Sequence, residues 1–296
     1  MAGFKSGFIA LVGRPNVGKS TLINSLVGQK VVITSDKPQT TRNRINAILT
    51  REDAQLIFVD TPGIHKPLDR MGNYLVDAAY QALEEVDLIL FLVEATSLPG
   101  AGDKFVARKL EEVKTPSLLV LNKIDLVDKK QLPARIEAYQ RLNCGELVPI
   151  SAAQGTNLDA LVEMIAGKLP EGPQYYPGDM VVDRMEQFVI TELIREKILH
   201  LTREEVPHSV AVEIEEYKER DKQDKIYIRA TIFVERDSQK GILIGKGGKM
   251  LKKIGLRARV DIERLLGTKI YLDLWVKVKK DWREKEEIFK KFGYKG

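Results

Sequence analysis

The chain has 296 residues, of which 44% are hydrophobic, enough for two domains with sizeable cores. A single cysteine, Cys144, excludes a disulfide framework or a cysteine-built metal cluster and suits a reducing cytosol; it reads as a small apolar filler or a neutral surface thiol. The formal net charge of +5 is unevenly spread, with 20 Lys and Arg against 21 Asp and Glu in residues 1–180, 7 against 12 in 181–224, and 20 against 9 in 225–296.

That basic last quarter is where a polyanion would dock, unless it is simply a solvated face. No charged-then-apolar leader opens the chain, and no apolar run approaches the ~20 residues a membrane helix needs, so a cytoplasmic protein is expected. The longest such run, Leu88–Val93, has the length of a buried parallel strand.

From the start, Phe8–Val12 is an apolar run followed by Gly13-Arg14-Pro15-Asn16-Val17-Gly18-Lys19-Ser20 and then by helical spacing at Leu22, Ile23 and Leu26. Strand, glycine-rich turn and helix is the context in which G-x-x-x-x-G-K-[ST] binds phosphate. Backbone N–H groups wrap the phosphates, with Thr21 next in line, and the helix N-terminus adds partial positive charge. Lys19 reaches the β/γ-phosphates and the Ser20 hydroxyl sits on Mg²⁺.

Further apolar runs follow at Ala47–Thr50, Gln55–Asp60, Leu88–Glu94, Ser117–Asn122 and Glu146–Ile150, separated by helical stretches. The pattern predicts an α/β domain whose mostly parallel sheet carries helices on both faces and ligand loops at the strand C-terminal ends. At the end of the Gln55–Asp60 strand stands Asp60-Thr61-Pro62-Gly63, whose aspartate can hold Mg²⁺ through water and whose glycine N–H can contact a γ-phosphate. Leu119-Val120-Leu121 runs into Asn122-Lys123-Ile124-Asp125. Asp125 is a two-oxygen acceptor for the N1/N2 edge of guanine, a donor pair that adenine lacks. Asn122 braces the loops, the Lys123 stem covers the base, and Ser151-Ala152-Ala153 offers a backbone N–H to guanine O6.

These elements match those of translation-factor-related GTPases, which implies GTP/GDP as the nucleotide. The same resemblance makes Pro38-Gln39-Thr40-Thr41-Arg42 a switch whose threonine, Thr41 or failing it Thr40, ligates Mg²⁺ when the γ-phosphate is present, with the loop after Gly63 as the second switch. Where many small GTPases carry a water-positioning glutamine, this chain has Ile64. In related GTPases an asparagine at the position of Asn16 helps to hold K⁺ near the β/γ-phosphates, which implies a K⁺-assisted reaction here, unless Asn16 serves only the turn. Asn16, Lys19, Thr41 and Gly63 are therefore the residues expected to act in hydrolysis. His65 is left unassigned.

Three prolines and two glycines between Leu169 and Gly178 mark a boundary, dividing the chain into 1–172, a linker at 173–182, and 183–296. The second part predicts a helix at Glu186–Thr202, an antiparallel pair at Ser209–Tyr217 and Lys225–Val234, a basic helix at about Lys249–Leu266, a strand at Lys269–Val278 and a charged helix at about Trp282–Phe292. Gly245-Lys246-Gly247-Gly248 is a G-x-x-G turn between two helical segments. The order helix–strand–strand–helix–GxxG–helix–strand is that of an α+β type II KH domain, which clamps single-stranded RNA. Ile244, Gly245, Lys246, Gly247, Gly248, Lys249, Lys252 and Lys253 are the expected RNA contacts, with Arg257 and Arg259 adding charge. Trp275 reads as a core residue of its strand, with base stacking as its other reading.

Together, the nucleotide motifs, Gln39-Thr40-Thr41-Arg42, Asp60-Thr61-Pro62-Gly63-Ile64-His65 and Gly245-Lys246-Gly247-Gly248 resemble the bacterial Era family over essentially the whole chain. The resemblance implies a monomeric, ribosome-associated GTPase that binds the 3′ end of 16S rRNA and assists 30S subunit maturation. Family members are also described as peripheral on the inner membrane, for which the basic tail is the sole support in this sequence. The competing expectation is a signalling GTPase whose KH-like module binds protein, which the log–log salt dependence of RNA affinity would separate.

Overall fold

A computed structural model describes residues 3–34, 45–60, 83, 85–220 and 225–282. The expected switch at 38–42, positions 61–65 and the tail helix beyond Trp282 lie outside the described residues. The chain divides into two compact units, Met1–Asp183 and Arg184–Gly296.

In the first unit the elements run β1 (Lys5–Val12), α1 (Lys19–Val27), β2 (Ile45–Thr50), β3 (Ala54–Asp60), β4 (Leu88–Glu94), α2 (Ala101–Glu111), β5 (Ser117–Asn122), α3 (Leu132–Gln140), β6 (Glu146–Pro149) and α4 (Leu158–Lys168). The strands order as β2-β3-β1-β4-β5-β6. All neighbours are parallel except β2 and β3. Only Arg51, Glu52 and Asp53 separate that pair, which closes a hairpin and cannot span a crossover.

Central strands are covered on both faces, so Leu88–Val93 is wholly buried. Ala10, Val12, Ile89, Phe91, Leu119 and Leu121 point to one side, into a core with Val106, Ala107 and Leu110 of α2 and Tyr139 of α3. On the other side α1 and α4 pack against β1–β3 and bury Leu22, Ile23, Leu161 and Ile165. Each such side chain contributes roughly 1.5–3 kcal/mol. From β1 the chain goes first to β2 and β3 on one side and then to β4 on the other. The strand order thus reverses at β1, which opens a crevice at the C-terminal strand ends.

Residues 170–183 run along this unit. Gly172 N–H donates to the Phe4 carbonyl at 3.0 Å and Ile48 N–H to that of Val181 at 3.0 Å, and Val182 bridges Ala47 antiparallel. Buried Gln55 accepts from Tyr176 N–H at 2.9 Å and donates to the Tyr176 carbonyl at 2.9 Å. The free edge of β2 is thereby covered.

The second unit runs α5 (Glu186–Leu201), β7 (Ala211–Arg220), β8 (Lys225–Val234), α6 (Asp237–Ile244), the GxxG turn, α7 (Lys249–Leu266) and β9 (Lys269–Val278). Its sheet orders β7-β8-β9; β7 pairs β8 antiparallel, and β9 joins β8 in parallel after the crossover through α6 and α7. Leu193 and Ile198 of α5, Ile254 and Ile262 of α7, and Ile228, Ile232 and Ile270 of the sheet are buried. A buried ion pair joins Lys197 of α5 to Glu196 and to Asp261 of α7.

Candidate functional sites

The phosphate-loop sequence turns the chain from β1 into α1 through left-handed backbone at Asn16 (φ 67°) and Gly18 (φ 102°). A Cβ at Gly18 would lie 2.3 Å from Asn122 Nδ2, so this close approach requires glycine. Buried Lys19 folds its Nζ back onto the carbonyls of Gly13 and Arg14, each at 3.1 Å. These contacts hold a cation at the centre of the loop. Gly13 and Val17 are buried, Arg14, Pro15, Ser20 and Thr21 half-buried, and Asn16 exposed.

Asn122, buried at the end of β5, donates from Nδ2 to the Val17 carbonyl at 2.9 Å and accepts at Oδ1 from Ala152 N–H at 2.9 Å. One carboxamide thus ties the phosphate loop to the Ser151–Ala153 loop. Ser25 of α1 adds a second tie, donating to the Ala152 carbonyl at 2.6 Å. Ser151 is buried and pairs with Thr156 in both directions. Ala153 and Asp125 are exposed, with Asp125 in a 3-10 turn at Ile124–Leu126. Lys123, left-handed at φ 65°, sends its ammonium to Glu94 Oε2 at 2.6 Å.

Two acidic side chains absent from the expected motifs join this frame. Arg14 Nε donates to the fully buried Asp103 at 2.7 Å, and its other arm lies 3.7 Å from Glu94. Glu94 therefore bridges Arg14 of the phosphate loop and Lys123 of the base loop. Neither acid could be read from spacing, since β4 and α2 meet the loops only in the folded sheet. The backbone of Asp60 ends β3 in register with Leu11 of β1. Thr41, Thr61, Pro62 and Gly63 lie outside the described residues.

In the second unit, α6 ends at half-buried Ile244, and Gly245 (φ 70°, ψ 172°), Gly247 (φ 59°) and Gly248 (φ 75°) make the turn into α7. Lys246, Lys249, Lys252, Lys253 and Arg257 are exposed and form no ion pair with any described residue. Beside the turn lies a groove of about 400 Å³ between α7 and β9. Gly248, Leu251, Lys252, Gly255, Leu256 and Arg259 form one wall, and Tyr271, Leu272 and Leu274 the other. The β9 wall was not legible in sequence, because which strand flanks the helix is set by the sheet order. The core reading of Trp275 is overturned: Ile270 and Val276 point inward, so alternation turns Trp275 outward, where it is 53% exposed.

The family model described as 50S ribosome-binding GTPase matches residues 8–123, and the one described as KH domain matches 205–283. The GTPase Era of Halothermothrix orenii is 56% identical over 293 residues, covering 99% of both chains. This chain belongs to the Era family. A crystal structure of a variant of Aquifex aeolicus Era bound to GDP·AlF4⁻ aligns with a TM-score of 0.92 and 44% identity, over 98% of this chain and 99% of that one. An Era structure holding MgGDPNP and nucleotides 1506–1542 of 16S ribosomal RNA aligns at 0.91 and 44%, with the same coverage. As an Era-family GTPase the chain hydrolyses GTP, on a P-loop domain followed by a KH domain. Among the described residues no helix is long and apolar enough to cross a membrane.

Proposed function

We propose that this chain is a GTP-controlled binder of the 3′ end of 16S rRNA that assists maturation of the 30S subunit, with residues 1–172 as the nucleotide domain and 183–296 as the RNA domain. The observation that carries the RNA half is the exposed GxxG turn at the mouth of the α7–β9 groove, ringed by lysines that have no acidic partner among the described residues. Backbone N–H groups and Lys246 meet phosphates there while bases enter the groove, the arrangement by which a KH module holds about four nucleotides.

In the nucleotide half, incoming phosphate oxygens replace the Gly13 and Arg14 carbonyls on Lys19. Asp125 takes the guanine N1/N2 edge, and the base oxygen shares the Ala152 N–H with Asn122. Ser20 opens α1 directly behind Lys19 and Asp60 ends the strand beside β1. A hydroxyl and a carboxylate are donors that suit a hard cation, and with Thr41 they would hold Mg²⁺, Asp60 acting through water. Bound there, Mg²⁺ neutralises charge on the phosphates.

Water attack on the γ-phosphate proceeds without a glutamine at 64, and the Gly63 N–H and Lys19 stabilise the developing charge. On this reading Asn16, exposed and left-handed in the phosphate loop, helps to hold K⁺ near the β/γ-phosphates. GTP turnover is expected to be faster in K⁺ than in Na⁺; equal steady-state rates in the two salts rule that role out. For the RNA half, an oligoribonucleotide of the 16S 3′ end is titrated against the full chain with GTP analogue, with GDP and without nucleotide. Tight, salt-dependent binding lost in Gly247→Asp supports the reading. Binding that survives that change refutes it and favours a protein-binding module. The basic tail also makes anionic vesicles a reasonable second probe for peripheral membrane association and leaves the cytoplasm as its expected location, with the chain as a monomer.

A further inference from the structure

The two tryptophans of the chain sit at opposite extremes. Trp282 is fully buried, with Nε1 donating to the Ser209 carbonyl at 3.0 Å. Trp275 is 53% exposed on the outer sheet face, with Nε1 donating to Asp273 Oδ2 at 3.0 Å. The same oxygen accepts from the Tyr227 hydroxyl at 3.0 Å and from Arg229 Nε at 3.2 Å. One carboxylate thus pins three side chains.

Tyr227 stacks on Tyr271, its register partner in β9, with ring centroids 5.8 Å apart and planes 14° apart. Tyr271 is 55% exposed and also stands in the wall of the α7–β9 groove. Because β9 is the edge strand, the ring face of Tyr271 turned away from Tyr227 looks outward, beyond the sheet. Trp275 lies four residues along the same strand face, ~13 Å further by strand rise.

Asp273 occupies the indole N–H of Trp275 and the hydroxyl of Tyr227, so what Trp275 offers solvent is π surface. Exposed Lys269 and Lys277 flank Tyr271 and Trp275 along β9, paired with Glu263 at 3.1 Å and Glu215 at 2.7 Å, and Arg229 balances Asp273 between them. Two exposed aromatic rings on one strand face, with a lysine beyond each, suit single-stranded nucleic acid, because every base has a π face.

We infer that single-stranded RNA leaving the groove passes over the edge at Tyr271 and continues along the outer face of β9, stacking bases on Tyr271 and Trp275. This rests on the RNA reading of the groove and extends its footprint onto a second face of the sheet.

Two RNAs test it on the full chain: one of about four nucleotides that fills only the groove, and one carrying about eight more on each side. The long RNA is expected to quench Trp275 emission and the short one to leave it unchanged, with the buried emission of Trp282 reporting an intact fold. Trp275→Ala is expected to weaken the long RNA about tenfold or more. It should leave the short RNA and basal GTP turnover unaltered, and Trp275→Phe should recover most of the loss. Equal affinity of wild type and Trp275→Ala for the long RNA, with no quenching, overturns the inference. So does Trp275 emission that ignores both RNAs but responds to RNA-free ribosomal protein. If Gly247→Asp abolishes both RNAs while Trp275→Ala affects neither, the groove reading stands and only this extension fails.

Discussion

Two glycines of one turn, Gly245 and Gly247, carry different constraints. Gly245, at φ 70° and ψ 172°, occupies a region essentially closed to other residues, and an added Cβ would lie 2.8 Å from that of Met250. Gly247 is left-handed, with no atom within 4 Å of an added Cβ, and aspartate tolerates that conformation. Gly245→Ala is therefore expected to cost about 1–3 kcal/mol and lower the melting temperature of the full chain. Gly247→Asp should melt near wild type while losing RNA, because it sets a carboxylate where phosphate approaches. Calorimetry paired with RNA titration checks both.

Cys144 settles its own two readings. It is 5% exposed, and burial, with Glu111 nearby, pushes its thiol up to about 11. Alkylation of the native chain at pH 8 should run about a hundredfold slower than that of a free thiol, measured by mass shift. Since the folded value lies above the unfolded one, this group's contribution is complete below about pH 9 and is lost as pH rises toward 11.

At the scale of elements, the strap over β2 and β3 is the clearest local dependence. Gln55 satisfies both backbone groups of Tyr176 and also donates to Thr50 Oγ1 at 2.9 Å. Gln55→Ala removes all three bonds and leaves a buried hole, at a cost of about 2–4 kcal/mol. Chymotrypsin should then cut after Tyr175 faster than in wild type; an unchanged digestion rate would show that the pairing of Val181 and Val182 with β2 suffices. The prolines and glycines of 173–182 predict a linker there. Composition reports that a segment is not helix or strand, but not that a buried glutamine of β3, 121 residues before Tyr176, has claimed its backbone.

For the whole molecule, two units with separate cores should unfold separately. Differential scanning calorimetry is expected to resolve two transitions. GDP should raise only the one belonging to residues 1–183, by mass action on its native state. A single transition that moves as a whole with GDP would mean that the units unfold as one.

What sequence determined alone was whatever depends on neighbours along the chain. The phosphate loop, the Asp60 and Asn122–Asp125 strand ends, the strand periodicities and the GxxG turn are each contiguous, and their spacing dictates backbone geometry and chemistry together. Tertiary structure decided what depends on register and sheet order. It turned β2 antiparallel, recruited Glu94 and Asp103 to the phosphate and base loops, supplied β9 as the far wall of the groove, and turned Trp275 outward. The physical reason is the two-residue period of a strand. It says that alternate side chains face opposite ways, and only the packed helices decide which way is in.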